Sequence, residues 1–457
     1  MEILVVEGGT PLRGEISVGG AKNAALPIMC AALLVEEGET VLENVPDIDD
    51  VRMLSDIMTQ LGVKVHRDSS GLLHINASRL TLVKLSYEQT KKLRASNLLL
   101  GPLLARLGKA EIPMPGGCDI GSRPMDLHIK GLEKLGAVCS LDHGVISAEA
   151  ECLVAGNIYL DFPSVGATEN IMVAAALAGG TTIIENVAKE PEIVDLASFL
   201  GTLGVRVRGA GTDVIKIDGI ESIRGGITYT IIPDRIEAGT YMVMGALPGS
   251  DIMIRNVIPK HLESITAKLQ EIGVHIETGE DCMHVTAAAE YKATDLKTFP
   301  YPGFPTDVQS QFMALLTSAV GESVITETVF ENRLKLADEL NRMGAVVHHE
   351  GRTAIVTGQK SKLSGAPVRA SDLRAGAALV IAGILAEGYT EISNVEVIDR
   401  GYEKLEKKLR QVGAKIYRRR KTGVDVIDSG YGKIQEKVHQ IGSTFSTNIA
   451  SKREKAN

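Results

Sequence analysis

Residues 113–128 read PMPGGCDIGSRPMDLH, which places one thiol, Cys118, between the pair Gly116-Gly117 and a polar run ending in Arg123, Asp126 and His128. Two glycines give the backbone a freedom that a packed element would not tolerate. An arginine nearby biases a thiol towards thiolate, the reactive form. The same letters also suit a turn whose cysteine is a small apolar side chain, so this stretch alone leaves both readings open. Lys22, Arg94, Arg123, Arg333, Arg374 and Arg400 are cations of the kind that bind phosphate or carboxylate. Asp307, in the run Phe304-Pro305-Thr306-Asp307, is a carboxylate among them, suited either to an ion pair or to taking a proton as a general base.

These residues sit at matched places in an internal repeat. Six times a helix-like segment ends in an apolar residue and a glycine, at Gly62, Gly136, Gly204, Gly273, Gly344 and Gly413, roughly 70 residues apart. Strand-like alternation follows each glycine, which reads as a left-handed helix C-cap. Upstream come an apolar helix, a turn, a short strand and often Asn-Val, as at Asn44-Val45, Asn186-Val187, Asn256-Val257 and Asn394-Val395. Each unit reads β-α-β-α-β-β, giving an α/β protein of six units in two lobes of three. The seams fall near residues 19–22 and 230–233, which divides the chain into 21–231, then 1–20 with 232–425, and a polar extension at 426–457.

Counted back from the capping glycines, the first helices begin near Lys22, Arg94, Gly166, Arg235, Asp307 and Arg374. The second helices begin near Asp50, Arg123, Glu192, Lys260, Arg333 and Arg400. Helix N-termini present free N–H groups and the positive end of the dipole. Arginine there opposes the dipole, so its repeated placement points to a ligand of opposite sign, a polyanionic small molecule held between the lobes.

Composition agrees with this reading. The 457 residues are 44% hydrophobic and 23% charged, with a net charge of −8. That charge argues against general nucleic-acid binding. Apolar runs at 24–35 and 375–386 are too short to span a membrane. No leader-like segment precedes the strand at 3–6. Five cysteines (Cys30, Cys118, Cys139, Cys152 and Cys282) without regular spacing suit a reducing cytoplasm. The ten histidines show no metal-ligand spacing, so no metal is expected.

The motifs GAKNAAL at 20–26, GGCDIGSRP at 116–124, SVGAT at 164–168, FPTD at 304–307, FENR at 330–333, DLRA at 372–375 and DRGYE at 399–403 resemble the UDP-N-acetylglucosamine 1-carboxyvinyltransferase family of enolpyruvyl transferases, relatives of EPSP synthase. The resemblance covers residues 1–420. It implies a two-domain, inside-out α/β barrel with three repeats per domain. It also implies transfer of the enolpyruvyl group of phosphoenolpyruvate to the 3-hydroxyl of UDP-N-acetylglucosamine with no cofactor. By this likeness Lys22, Arg123 and Arg400 grip the phosphate of phosphoenolpyruvate, and Arg333 and Arg374 lie near its carboxylate. Asn23, Arg94, Arg123, Pro124, Met125, Asp126, Leu127, Ser164, Val165, Gly166, Thr306, Asp307, Val329 and Phe330 line the nucleotide-sugar site. Asp307 takes the sugar hydroxyl proton. Cys118 protonates C3 of phosphoenolpyruvate, and fosfomycin is the expected covalent inhibitor there. Asp50, Glu190, Asp234 and Asp372 are expected to hold the arginines.

Two departures stand out. Some members carry a lysine near the uridine where this chain has Phe162, and the family pattern ends before the polar tail. The sister enzymes acting on shikimate 3-phosphate share the architecture but do not use a loop cysteine. A non-catalytic sugar-nucleotide binder would have no use for the acid, the base and the cations together.

Overall fold

The computed structural model describes residues 2–91, 93–114, 125–358 and 363–420. Cys118, Arg123, Pro124 and the tail from 421 onward lie outside the described residues.

Six sheets share one plan. In the first, Thr40–Glu43 runs parallel to Ile227–Thr230 on one side and antiparallel to Leu73–Asn76 on the other, with Lys64–Arg67 outermost. Asn157–Tyr159, Thr181–Glu185, Val214–Asp218 and Arg206–Arg208 repeat that order, as do Leu296–Lys297, Gly321–Thr326, Thr353–Gly358 and Val346–Glu350. A third repetition joins Arg13–Ser17, Asp251–Arg255, Cys282–Thr286 and His275–Thr278. The sheet of Lys109–Pro113, Val145–Glu149 and Val138–Asp142 has three strands, and a parallel bridge from Lys84 to Glu111 stands in for the fourth. In the last sheet Glu2–Glu7 is inserted between Tyr389–Ser393 and Lys415–Arg420. The N-terminal strand therefore supplies a place that a later strand fills elsewhere.

Helices of two kinds pack on these sheets. Lys22–Ala31, Val165–Ala175, Arg235–Gly245, Thr306–Leu316 and Leu373–Leu385 are buried on nearly every side, as helices apolar all round must be. The others are amphipathic: Asp49–Gln60 buries Val51, Leu54, Ile57 and Met58 at helical spacing. All six capping glycines have positive φ, between 91° and 105°, the backbone expected of a helix stop.

The recurring asparagine has its own cause. Asn44, Asn186, Asn256 and Asn394 have φ of 56–63°, a left-handed turn that asparagine tolerates. Each Nδ2 donates to the carbonyl of the residue just past the neighbouring parallel strand: Ile231, Leu160, Val18 and, after Pro367–Arg369, Ala370.

Buried side chains form two cores. One draws on residues from Ala21 to Ile231; the other draws on Leu4 to Val18 together with Ile236 to Ile416. The chain passes between them twice, and the two crossings lie side by side. Ala21 N–H donates to Ile232 O at 2.8 Å, and Asp234 N–H donates to Gly19 O at 2.9 Å. A Cβ at residue 20 would meet Asn44 O at 1.6 Å, so only glycine fits there. Among the described residues no helix is long and apolar enough to cross a membrane.

Candidate active site

Lys22, Arg94, Arg333 and Arg374 sit at helix starts, as expected. Arg400 corrects that expectation: it follows the last residue of the short helix Glu396–Asp399, because the next helix begins only at Leu405. The fold gathers these five into three groups. The first joins the two cores. Asp50, buried at the start of Asp49–Gln60, accepts from Lys22 Nζ at 2.9 Å and from Arg400 Nε at 2.8 Å. Burial alone would raise the Asp50 carboxyl, but the charges of Lys22 and Arg400 outweigh it and hold the group below the usual carboxylate range. One anion thus aligns two cations from opposite ends of the sequence. Asn23 follows Lys22 on the same helix and is partly exposed.

The second group surrounds Asp307. Arg333 Nη1 donates to its Oδ1 at 2.7 Å and to Thr306 O at 2.7 Å, and Arg374 Nη2 donates to Oδ2 at 3.1 Å. Both arginines are nearly fully buried. Burial by itself would lower Arg374, yet Asp307 reverses this and holds the guanidinium above its ordinary value. Arg374 also lies over the Tyr402 ring, and Arg333 over the Phe330 ring. Here Asp307 stands between the two guanidiniums, an arrangement that positions it as tightly as it positions them.

Asp234 connects these groups. Its Oδ2 accepts the Lys22 backbone N–H at 3.2 Å, while its Oδ1 caps Ile236 and Glu237. Arg374 feels its charge. The expectation that Asp234 and Asp372 hold arginine side chains needs correcting. Asp372 accepts the backbone N–H groups of Arg374 and Ala375, and Asp234 likewise serves backbone donors. A carboxylate two residues before an arginine at a helix start meets the helix amides first. Glu190 accepts the Tyr301 N–H at 3.5 Å and lies in the field of Arg235, whose guanidinium pairs with Glu192 at 3.0 Å.

The third group lies within the first core. Arg94 opens the turn Arg94–Leu99, Ser164 caps Val165–Ala175, and Met125, Asp126 and Leu127 open the next helix. His128, which ends the polar run read from the sequence but was given no role there, meets Asn170 of the helix that Ser164 caps. Asn170 Oδ1 accepts the Gly101 N–H, so its Nδ2 faces Asn97 O at 2.9 Å and His128 Nδ1 at 2.8 Å. Nδ1 must therefore accept, which leaves the proton on Nε2, against Gly166. Burial, with Arg94 adding to it, depresses His128 to about 4, so the ring is neutral near pH 7. Phe162, two residues before Ser164, is half exposed.

The Asp50 cluster makes a testable statement about pH. Because its folded-state pKa lies below the unfolded value of about 3.9, its contribution is complete above that value. It is lost as pH falls through the depressed folded pKa. Asp50→Asn is therefore expected to unfold at a lower temperature than wild type at pH 7, with the gap narrowing as pH drops below about 4. Thermal unfolding of both proteins across pH 3–7 measures this; a gap of constant size would show that the Asp50 charge is not what binds Lys22 to Arg400.

The sequence matches the EPSP synthase (3-phosphoshikimate 1-carboxyvinyltransferase) family over residues 6–409. It is 52% identical over 415 residues to UDP-N-acetylglucosamine 1-carboxyvinyltransferase 1 of Caldanaerobacter subterraneus subsp. tengcongensis, covering 91% of this chain and 99% of that one. The enzyme of the same name from Carboxydothermus hydrogenoformans is 53% identical over 418 residues, covering 92% and 98%. Among solved structures, the enolpyruvyl transferase NikO from Streptomyces tendae superposes with a TM-score of 0.84 at 25% identity, over 92% of this chain and 99% of that one. EPSP synthase from Acinetobacter baumannii shares the fold, with a TM-score of 0.71 at 19% identity over 92% of this chain and 100% of its own.

Proposed function

This chain belongs to the EPSP synthase family, and from its kinship with the UDP-N-acetylglucosamine 1-carboxyvinyltransferases we propose how its residues work. It transfers the enolpyruvyl group of phosphoenolpyruvate to the 3-hydroxyl of UDP-N-acetylglucosamine with release of phosphate, the first committed step of peptidoglycan precursor synthesis. The observation that carries the assignment to a site is the convergence of Lys22 and Arg400, from two cores, on Asp50, together with the pairing of Asp307 with Arg333 and Arg374.

In the reaction, the sugar oxygen bonds to C2 of phosphoenolpyruvate while C3 gains a proton. The C2–O bond to phosphate then breaks and C3 loses a proton, restoring the double bond. Asp307 accepts the hydroxyl proton, and Cys118 delivers the proton to C3. Lys22 and Arg400, with Arg123, hold the phosphate, whose leaving charge they stabilise because they are already oriented. Arg333 and Arg374 face the substrate carboxylate as well as Asp307. The nucleotide sugar is bound by Asn23, Arg94, residues 123–127, Ser164, Val165, Gly166, Thr306, Val329 and Phe330. Fosfomycin, an epoxide, would alkylate the Cys118 thiolate.

The six sheets with their paired helices form six βαβαββ units, three to each of two inside-out barrel domains, 21–231 and 1–20 with 232–425. Residues 426–457 form a polar extension. The setting is cytoplasmic, where both substrates are found. Phosphate release from phosphoenolpyruvate tests the whole reading. It should require UDP-N-acetylglucosamine and should not proceed with shikimate 3-phosphate as acceptor; release with the latter instead would overturn it.

A further inference from the structure

We propose that Glu327 is the positioning residue that couples the nucleotide-lining segment 329–330 to the proton acceptor Asp307; this rests on the function proposed above. Glu327 follows the strand Gly321–Thr326 and is wholly buried. Its Oε1 accepts from Thr298 Oγ1 at 2.8 Å, from Val329 N–H at 2.8 Å and from Phe330 N–H at 3.1 Å. Its Oε2 accepts from Thr306 Oγ1 at 2.8 Å. Every one of these side-chain partners is neutral; Arg352 Nη1 reaches the backbone carbonyl of Glu327, at 3.4 Å. Burying a carboxylate among neutral donors is costly, and a strand end could be closed with less.

What the carboxylate achieves is a ring of contacts. Thr306, held by Oε2, passes its own carbonyl to Arg333 Nη1, which also holds Asp307. Arg333 in turn lies over the ring of Phe330, whose N–H is held by Oε1. Glu327 thus fixes both ends of the path from the nucleotide-lining segment to the base. It also commits the Val329 and Phe330 amides inward, so this segment meets a nucleotide sugar with carbonyls and side chains.

Glutamine is the informative replacement. Its Oε1 can still accept from Thr298 and both amides, while its Nε2 donates to Thr306 Oγ1 instead of accepting from it. Initial rates with each substrate varied separately, alongside thermal unfolding, provide the test. Glu327→Ala is expected to raise KM for UDP-N-acetylglucosamine about tenfold and lower kcat about tenfold, with KM for phosphoenolpyruvate within about twofold. Glu327→Gln should recover most of both effects. Should the alanine variant fail to fold, Thr306→Val removes the hydroxyl that joins Oε2 to the segment carrying Asp307. It should lower kcat about tenfold. Equal shifts in both KM values, a folded glutamine variant no better than alanine, or an unaltered kcat in Thr306→Val would each overturn the proposal. A wild-type protein that releases no phosphate with UDP-N-acetylglucosamine would instead refute the proposed function.

Discussion

Replacing Asp307 by asparagine is expected to lower turnover by about 10²-fold or more, the usual effect of losing a general base, while UDP-N-acetylglucosamine still binds. The substitution preserves shape but not the contacts. Asparagine can accept from only one of the two guanidiniums that now hold the carboxylate, Arg333 at 2.7 Å and Arg374 at 3.1 Å. Its Nδ2 must face the other, donor against donor. Some of the loss would therefore come from displaced arginines, and the pH dependence separates the two causes. A base that must be ionised gives kcat an acid limb, which vanishes when the base becomes an amide. Displaced arginines would lower kcat at every pH and leave the limb in place. Turnover within a few-fold of wild type would mean that Asp307 positions the sugar without taking its proton.

How far the sequence reaches depends on whether a feature is decided locally. The capping glycines and the repeated Asn-Val were legible because a left-handed turn and its hydrogen bond are settled within a few residues. Six such marks at one period gave the unit and hence the matched cations. The pairing of Lys22 with Arg400 through Asp50 was not legible in this way, since these residues meet only after two cores have packed. Asp372 shows the opposite failure. DLR suggests an ion pair, but at a helix start the nearest donors are backbone amides, and those win. Glu327 gave no signal of position or spacing, and His128 showed only as the end of the polar run after Cys118. Each is a buried polar group whose meaning lies in its partners, and those come from separate elements. Only the resemblance to a known family supplied the roles of individual residues.

Cys118 lies outside the described residues, and its role is the one with the largest expected consequence. A thiol can act here as an acid or as a nucleophile, and substitutions separate the two. An acid needs only a transferable proton and suitable reach, which a carboxylic acid also offers. A nucleophile towards an epoxide needs thiolate sulfur. Cys118→Ala should abolish turnover or reduce it gravely. Cys118→Asp should keep substantial activity and become insensitive to fosfomycin. Wild type should be inactivated irreversibly, and faster when UDP-N-acetylglucosamine is bound, because closing the cleft around the nucleotide brings the thiol to the epoxide and expels water. Lys22 and Arg400 are already aligned by Asp50, so an anionic epoxide held by them would be in place before it reacts. Normal turnover in Cys118→Ala would end the acid assignment. A dead Cys118→Asp beside an active Cys118→Ser would show that proton delivery is not the role, and wild-type resistance to fosfomycin would show that the thiol never reaches the cleft.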